Sequence, residues 1–476
     1  MSMAAIAAST AHADGYYEGT KGARAAGRAG AFTARADDIS AVLINPAGLT
    51  HRKGTLLHIG NRFSHNMHRY KRAPTLDYAE DDQNPPRVRF DTVNNDAPFQ
   101  LVDPLLGVST DFGQQDFRFA FAIIAPPGIG RERYPVSGGQ RYMMASRNAQ
   151  MIDYVASVAW QPSDNFGLGV SLVWIAVPSL TYQLVVDGHF SNDAYPVSSP
   201  YDMLTTVDGS DLFTPNLILG GWYRPKPFLE IAISGQVLPT QIVTNSTLDI
   251  QPLSGNEQVQ LSRPGQPKAN DVNLTLPLPI TARAGVRYIH LQGARELFDI
   301  ELDATFEGWS AVDQFTLSTH GMVATYENQR INLGNIVVPK RWRNTFNLLL
   351  GGDYNVLANL LTLRGGLFYE TAVAPAAYAN VDFVSGRQLG GALGASLYIG
   401  NVEVALAYVL RYAPKFTVSE RQARGYQQVP LSGCQAPYTD TDLCDQNYLG
   451  QPAPVANAGT YSARSNIIAL DVLYHF

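Results

Sequence analysis

From about Gly54 onward, apolar and polar residues alternate in segments of roughly ten, the period and length of β-strands that cross a membrane. In "LFDIELDATFEGW", Phe298, Ile300, Leu302, Ala304 and Phe306 share one face, and Asp299, Glu301, Asp303, Thr305 and Glu307 share the other. Val402, Val404, Leu406, Tyr408 and Leu410 likewise oppose Asn401, Glu403, Ala405, Ala407 and Arg411. "PITARAGVRYIH" places Arg283 and Arg287 opposite Ala284, Val286 and Tyr288, so pairing with the Phe298 strand sets arginines beside acids. Such a charged but internally compensated face suits the lumen of a barrel or the wet side of a sandwich, and alternation alone does not separate them.

The spacing of the segments does separate them. Short turns at 111–115, 161–165, 224–227, 292–296, near Asn355 and at Gly400-Asn401 alternate with long polar segments at 65–97, 126–147, 179–211, 241–278, 313–340, 371–387 and 413–462. Compact soluble domains seldom string together so many long loops, whereas outer-membrane barrels put short turns on one side and long loops on the other. The expected fold is therefore all-β: an antiparallel transmembrane barrel of about fourteen strands. Trp160 and Trp222 precede short turns and Trp309 and Trp342 flank a long segment, which predicts two interfacial girdles, with Trp174 less clearly terminal. The final "SNIIALDVLYHF" alternates up to Tyr474 and Phe476, an aromatic end similar to the signal read by the outer-membrane assembly machinery.

Composition supports this picture. Charged residues make up 16%, there are 41 Gly, and Tyr and Phe number 24 and 20, a mix suited to many strands with aromatic belts. A net charge of −6 gives no reason to expect a nucleic-acid partner. No apolar run reaches the length of a membrane helix. Residues 1–13 are small and apolar and end in Ala11-His12-Ala13, which reads as the remnant of a signal peptide with Asp14 as the mature start. Cys434 and Cys444 lie close together before the last strand, outside the cell on this topology, where a local disulfide is expected.

Catalytic signatures are missing: there is no G-x-S-x-G, no H-E-x-x-H, no P-loop and no G-x-G-x-x-G between strand and helix. His51, His58, His65 and His68, spaced seven, seven and three apart, do not form a tight ligand set, so no metal and no cofactor is expected. The chain does not read as an enzyme.

One stretch fits none of this. "GARAAGRAGAFTARADDISAVLINPAGLT", residues 22–50, is rich in Gly, Ala and Arg, carries the pair Asp37-Asp38, and closes on Asn45-Pro46-Ala47, a turn-initiating sequence. It resembles the N-terminal signature of the FadL/TodX family of outer-membrane channels for long-chain fatty acids and other hydrophobic compounds, at Gly22, Gly27, Gly30, Ala31, Ala34, Asp37, Asp38, Asn45, Pro46, Ala47 and Leu49. "FEGWSAVDQF", "LTLRGGLFYETAVAP" and "LPLPITARAGVRY" are similar to other segments of that family, so the resemblance runs from about Gly15 to Phe476. It implies a plug inside the barrel, over residues 14–53, followed by the barrel proper at 54–476. It also implies an inward kink in the third strand, here 117–125 running into Pro126-Pro127-Gly128, that opens the wall sideways.

Asn45, Pro46, Ala47, Asp37 and Asp38 are thus the candidate plug and gating residues. The acidic pair either caps a short helix over 39–43 or pairs with lumen arginines such as Arg283, Arg287 and Arg364, and pairing is preferred for one of them. With Asp299, Glu301 and Asp303 those arginines form the candidate lumen charge network. The function implied is passive uptake of a hydrophobic small molecule by a monomer in the outer membrane, among its lipid and lipopolysaccharide. The alternative is a surface-exposed structural or partner-binding barrel whose plug never moves.

Overall fold

The computed structural model describes residues 21–77, 84–125, 130–187, 197–198, 201–254, 258–326, 329–383, 386–427 and 455–476. The leader-like residues 1–13, Pro126-Pro127-Gly128, Cys434 and Cys444 lie outside them. Fourteen strands follow the chain, each antiparallel to the next. They are β1 (Leu56–Arg72), β2 (Pro104–Thr110), β3 (Phe117–Ile124), β4 (Ser146–Ser163), β5 (Phe166–Asp187) and β6 (Asp202–Lys226). Four strands in two pieces come next: β7 (Leu229–Gln236, Thr240–Pro252), β8 (Asp271–Leu278, Thr281–Gln292), β9 (Arg295–Glu307, Gln314–Ser318) and β10 (Ile336–Pro339, Thr345–Leu357). β11 (Leu361–Glu370), β12 (Gln388–Ile399), β13 (Val402–Val418) and β14 (Gly459–His475) complete the ring, which closes where β1 pairs with β14 from Leu56↔His475 to Arg72↔Gly459.

Burial decides between barrel and sandwich. On β9 the acids Asp299, Glu301 and Asp303 are buried, while Ile300 and Leu302 are 50% and 53% exposed. The polar face points inward and the apolar face outward, the reverse of a water-soluble sheet. Among the described residues no helix is long and apolar enough to cross a membrane; crossing is left to the strands.

Several strands outrun the bilayer. β5 has 22 residues and β6 has 25, against about 9–11 needed to span the hydrocarbon core. The segments 179–211 and 241–278, expected as long loops, are therefore partly strand. Beyond the membrane the alternation changes phase: Ile242, Leu248, Val272 and Leu276 are buried inside, while Gln241, Asn245, Asp249 and Asp271 face out to water. That inversion makes the outer part of the wall an apolar cup standing on a polar-lined barrel. The two parts meet at a break crossing β7 to β10 at one level, through residues 237–239, 279–280, 308–313 and 340–344. Pro239 and Pro279, which offer no N–H to a ladder, sit in it.

The tryptophans correct the girdle expectation. Trp160 and Trp174 do face outward, but Trp222, Trp309 and Trp342 are buried in the interior. Position near a strand end does not give a side chain's face, and these three have inward partners. Tyr474 and Phe476 remain outward, with ring centroids 4.6 Å apart.

Residues 21–50 fold as short helices, α1 (Ala23–Gly27), α2 (Ala41–Ile44) and a 3-10 turn (Pro46–His51), almost wholly buried. α1 lies against β11 to β14, and the 3-10 turn against β3 to β6, so the segment bridges opposite arcs inside the ring. Its Gly and Ala content permits the approach, and the wall reciprocates. A Cβ on Gly169 of β5 would lie 2.3 Å from the Ala47 nitrogen, and one on Gly366 of β11 2.4 Å from the Arg28 carbonyl.

Candidate ligand-binding site

The inner segment is held by buried charge. Arg28 lies 2.7 Å from Asp299, 2.8 Å from Glu301 and 2.7 Å from Asp353, with all four side chains sealed from solvent. Arg35 reaches Glu296 at 2.7 Å and Asp299 at 2.6 Å. The Asp303 carboxylate accepts from the Phe32 and Thr33 N–H groups at 2.9 Å each, and Glu301 accepts from Ala34 N–H. Charges buried at this depth stay ionised only when paired, so the wall acids and the segment's arginines require one another.

The candidate plug residues divide by role. Asp37 pairs with the segment's own cations, with Arg24 at 2.8 Å, Arg52 at 3.5 Å and Arg35 at 3.6 Å. Burial pushes its carboxyl up, but those guanidinium groups outweigh burial and hold it well below the usual carboxylate range. Asp38 instead accepts from the Ser40 N–H and hydroxyl at 2.8 and 2.6 Å, closing the turn into α2. Neither acid meets Arg283, Arg287 or Arg364. Asn45 accepts from Ala47 N–H at 3.2 Å and donates to the Thr33 carbonyl at 2.9 Å, while Trp222 donates to the Ala47 carbonyl at 3.1 Å.

The lumen arginines separate too. Arg287 pairs with Asp299 and Glu296, and Arg364 lies 3.1 Å from Asp353 and 3.5 Å from Glu403. Arg283 corrects the expected network: half-buried between Ser234 and Thr305 on neighbouring strands, it makes no hydrogen bond or ion pair with any described residue. Of the acids it was expected to join, Asp299 and Glu301 are engaged by Arg28, Arg35 and Arg287, and Asp303 by the Phe32 and Thr33 N–H groups. The histidines also go separate ways: His51 to Glu230, His58 to Asp471 and His68 to Glu132. No metal-binding cluster occurs among the described residues.

Above the inner segment, within the cup, lies an apolar cavity of about 90 Å³ lined by Leu180, Leu184, Leu274, Leu276, Phe315, Val338 and Phe383 among others. Two cations stand at its edge. The Arg147 guanidinium lies 4.4 Å above the Phe383 ring, and Lys340 Nζ lies 4.7 Å from the centre of the Phe315 ring. One residue of the segment between β11 and β12 holds both: Asp382 pairs with Lys340 through its carboxylate and accepts from Arg147 through its carbonyl. Glu132, shared with His68, stands 3.6 Å from Arg147. Sequence reasoning missed Arg147, Lys340 and Asp382. The available signal was the phase change, since Arg147 shares its face of β4 with Ala149 and Met151.

Residues 4–428 match the family model described as outer membrane protein transport protein (OMPP1/FadL/TodX). Among solved structures, a FadL homologue of Pseudomonas aeruginosa superposes with a TM-score of 0.72 at 17% identity, covering 97% of this chain and 100% of that one. The Pseudomonas putida toluene transporter TodX gives 0.62 at 13% identity, covering 98% of each. The Ralstonia pickettii toluene transporter TbuX gives 0.59 at 14%, covering 96% and 98%. No curated protein matches the sequence significantly.

Proposed function

Because the chain belongs to the OMPP1/FadL/TodX family of outer-membrane transport proteins, we propose that it takes up hydrophobic molecules bearing a carboxylate, long-chain fatty acids foremost. The family's members carry hydrophobic compounds; the carboxylate is the finer step, and the observation that supports it is the pairing of Arg147 and Lys340 at one end of an otherwise apolar cavity. An apolar body with one cationic end matches an acyl chain and its head group. The Asp382 carboxylate occupies the place of that head group, and the ligand displaces it together with Phe383.

On this reading residues 14–53 are the plug. The buried ion pairs of Arg28 and Arg35 favour a plug that keeps its seat during uptake, with Asn45, Pro46 and Ala47 fixing its far end against β5 and β6. The protein performs no covalent chemistry; it supplies a path down a concentration gradient.

The test is equilibrium binding of oleate to the purified protein and to K340M and R147M. Losing one charge-assisted contact weakens binding about ten-fold in each variant, while binding of toluene stays as in the wild type. Equal oleate affinity in all three proteins would remove the carboxylate from the reading.

A further inference from the structure

The outward face of the ring changes character along the strands that close it. On β1, Leu57, Ile59 and Phe63 face the lipid, and on β14 Ile468, Leu470, Val472 and Tyr474 do the same. Pairing runs without a slip from Leu56↔His475 to Arg72↔Gly459, so alternation carries one face upward out of the apolar band. There it presents Arg69 and Lys71 on β1 and Arg464 on β14, all exposed. β13 adds Lys415, exposed at the bulge between Ala413 and Phe416. Tyr412 of β13 pairs with Arg464 and is 45% exposed, an aromatic at the level where the membrane interface is expected.

These four cations make no ion pair with any described residue, whereas Arg28, Arg35, Arg287 and Arg364 in the interior are each matched to an acid. Arg69 pairs with Ser462 and Met67 with Arg464, so the two arginines are diagonal neighbours, a spacing of about 7–8 Å. Like charges set so close repel, and an anion that bridges them relieves the repulsion. Asp91 and Asp96, exposed on the link that flanks β1, form no ion pair with them. Arg464 is also steered: it donates to the Asn466 side-chain oxygen at 3.4 Å, which accepts from the Tyr408 hydroxyl at 2.8 Å. The Thr417 and Thr460 hydroxyls, 3.0 Å apart and exposed, add polar contacts above.

The other arc has the opposite sign. Beyond the membrane β6, β7 and β8 carry exposed Asp208, Asp249 and Asp271, and the net charge of −6 conceals this asymmetry. A cationic cluster standing directly on an apolar band is complementary to a lipid whose head group bears several phosphates above its acyl chains. In the outer leaflet of an outer membrane that lipid is lipopolysaccharide.

We propose that the arc of β13, β14 and β1 binds one lipopolysaccharide molecule, its lipid A phosphates among Arg69, Lys71, Lys415 and Arg464 and its acyl chains on the apolar band below. The site is outside the ring and is independent of what the cup binds.

The test is binding of fluorescent lipid A to the purified protein in uncharged detergent, for wild type, R69Q/R464Q and K268Q/R343Q. Lys268 and Arg343 are exposed cations away from the arc, so the second double variant removes equal charge elsewhere. Thermal unfolding midpoints matched to wild type establish that both variants are folded. R69Q/R464Q is expected to bind lipid A about ten-fold or more weakly, and K268Q/R343Q as tightly as wild type. Lipid A stripped of its phosphates should bind all three proteins weakly, and added salt should narrow the gap between wild type and R69Q/R464Q. Equal affinity of wild type and R69Q/R464Q, or equal loss in the two double variants, would overturn the site. Displacement of lipid A by phosphatidylglycerol as readily as by unlabelled lipid A would overturn lipopolysaccharide as its occupant.

Discussion

Arg28 of the inner segment and Glu301 of β9 meet at 2.8 Å with neither side chain reaching solvent. Their contact joins two parts of the chain more than 270 residues apart, and Asp299 and Asp353 share the same guanidinium. Replacing Arg28 by Ala leaves Glu301 without its cation, while Asp299 keeps Arg35 and Arg287 and Asp353 keeps Arg364, a cost of about 3–5 kcal/mol for breaking a buried pair from one side. The expected result is a loosened segment and a leaking barrel. Single-channel conductance in planar bilayers reads this directly, and R28A channels as tight as wild type would show that the segment is held by other means. R28K keeps the charge but not the forked geometry, so it falls between the two.

Asp37 gives the seat of the segment a dependence on pH. Its carboxyl in the folded protein is held below the usual range, so it contributes stability above the unfolded value of about 3.9, and that contribution is lost as pH falls through the lower folded value. Conductance should therefore stay flat from neutral pH down to about 4 and rise only below it. D37N should leak already at pH 7, and its difference from wild type should shrink in acid. A conductance step near neutral pH that D37N abolishes would contradict this assignment.

The wall glycines make a steric prediction. Gly169 has no room for a Cβ beside Ala47, whereas a Cβ on Gly365 would find its nearest neighbour at 3.9 Å. G169A should displace the Asn45–Ala47 turn or strain β5, costing about 1–3 kcal/mol as overpacking does, and G365A should be nearly silent. Thermal unfolding in detergent compares the two, and matching midpoints would mean that the turn yields freely.

How much of this was legible in the sequence depends on which physical signal each feature leaves. Ile300 and Leu302 against Asp299, Glu301 and Asp303 disclosed a two-faced strand, and the turn and loop spacing disclosed which face met lipid. The inner segment disclosed its compactness through Gly and Ala. Its ion partners were harder, because pairing across 270 residues leaves no local pattern; Arg28 and Arg35 stood in plain view but were not matched to the acids of β9. The same blindness put Arg283 into a network it does not join. Trp222, Trp309 and Trp342 misled because a tryptophan near a strand end serves a membrane interface and an interior seal equally well. The cavity was hidden by a change of phase: Asp249 and Asp271 read as loop polarity, although with Leu248 and Val272 they continue the strands with the apolar side turned inward.

Asp382 supports the most direct test of how the site is kept closed. Its carboxylate pairs with Lys340 and its carbonyl accepts from Arg147, so both cations at the cavity edge are already engaged by the protein itself. A ligand carboxylate must therefore exchange with an internal one, and the net gain is the difference between two similar ion pairs plus burial of the chain. Removing the internal charge removes the competitor. D382N should bind oleate more tightly than wild type, by about ten-fold if one charge-assisted bond is no longer displaced, with little effect on toluene. The double variant D382N/K340M should fall back toward or below wild type, since the gain requires the freed ammonium. Calorimetric titration of the three proteins separates the outcomes: weaker oleate binding in D382N alone would mean that Asp382 builds the site and does not occlude it.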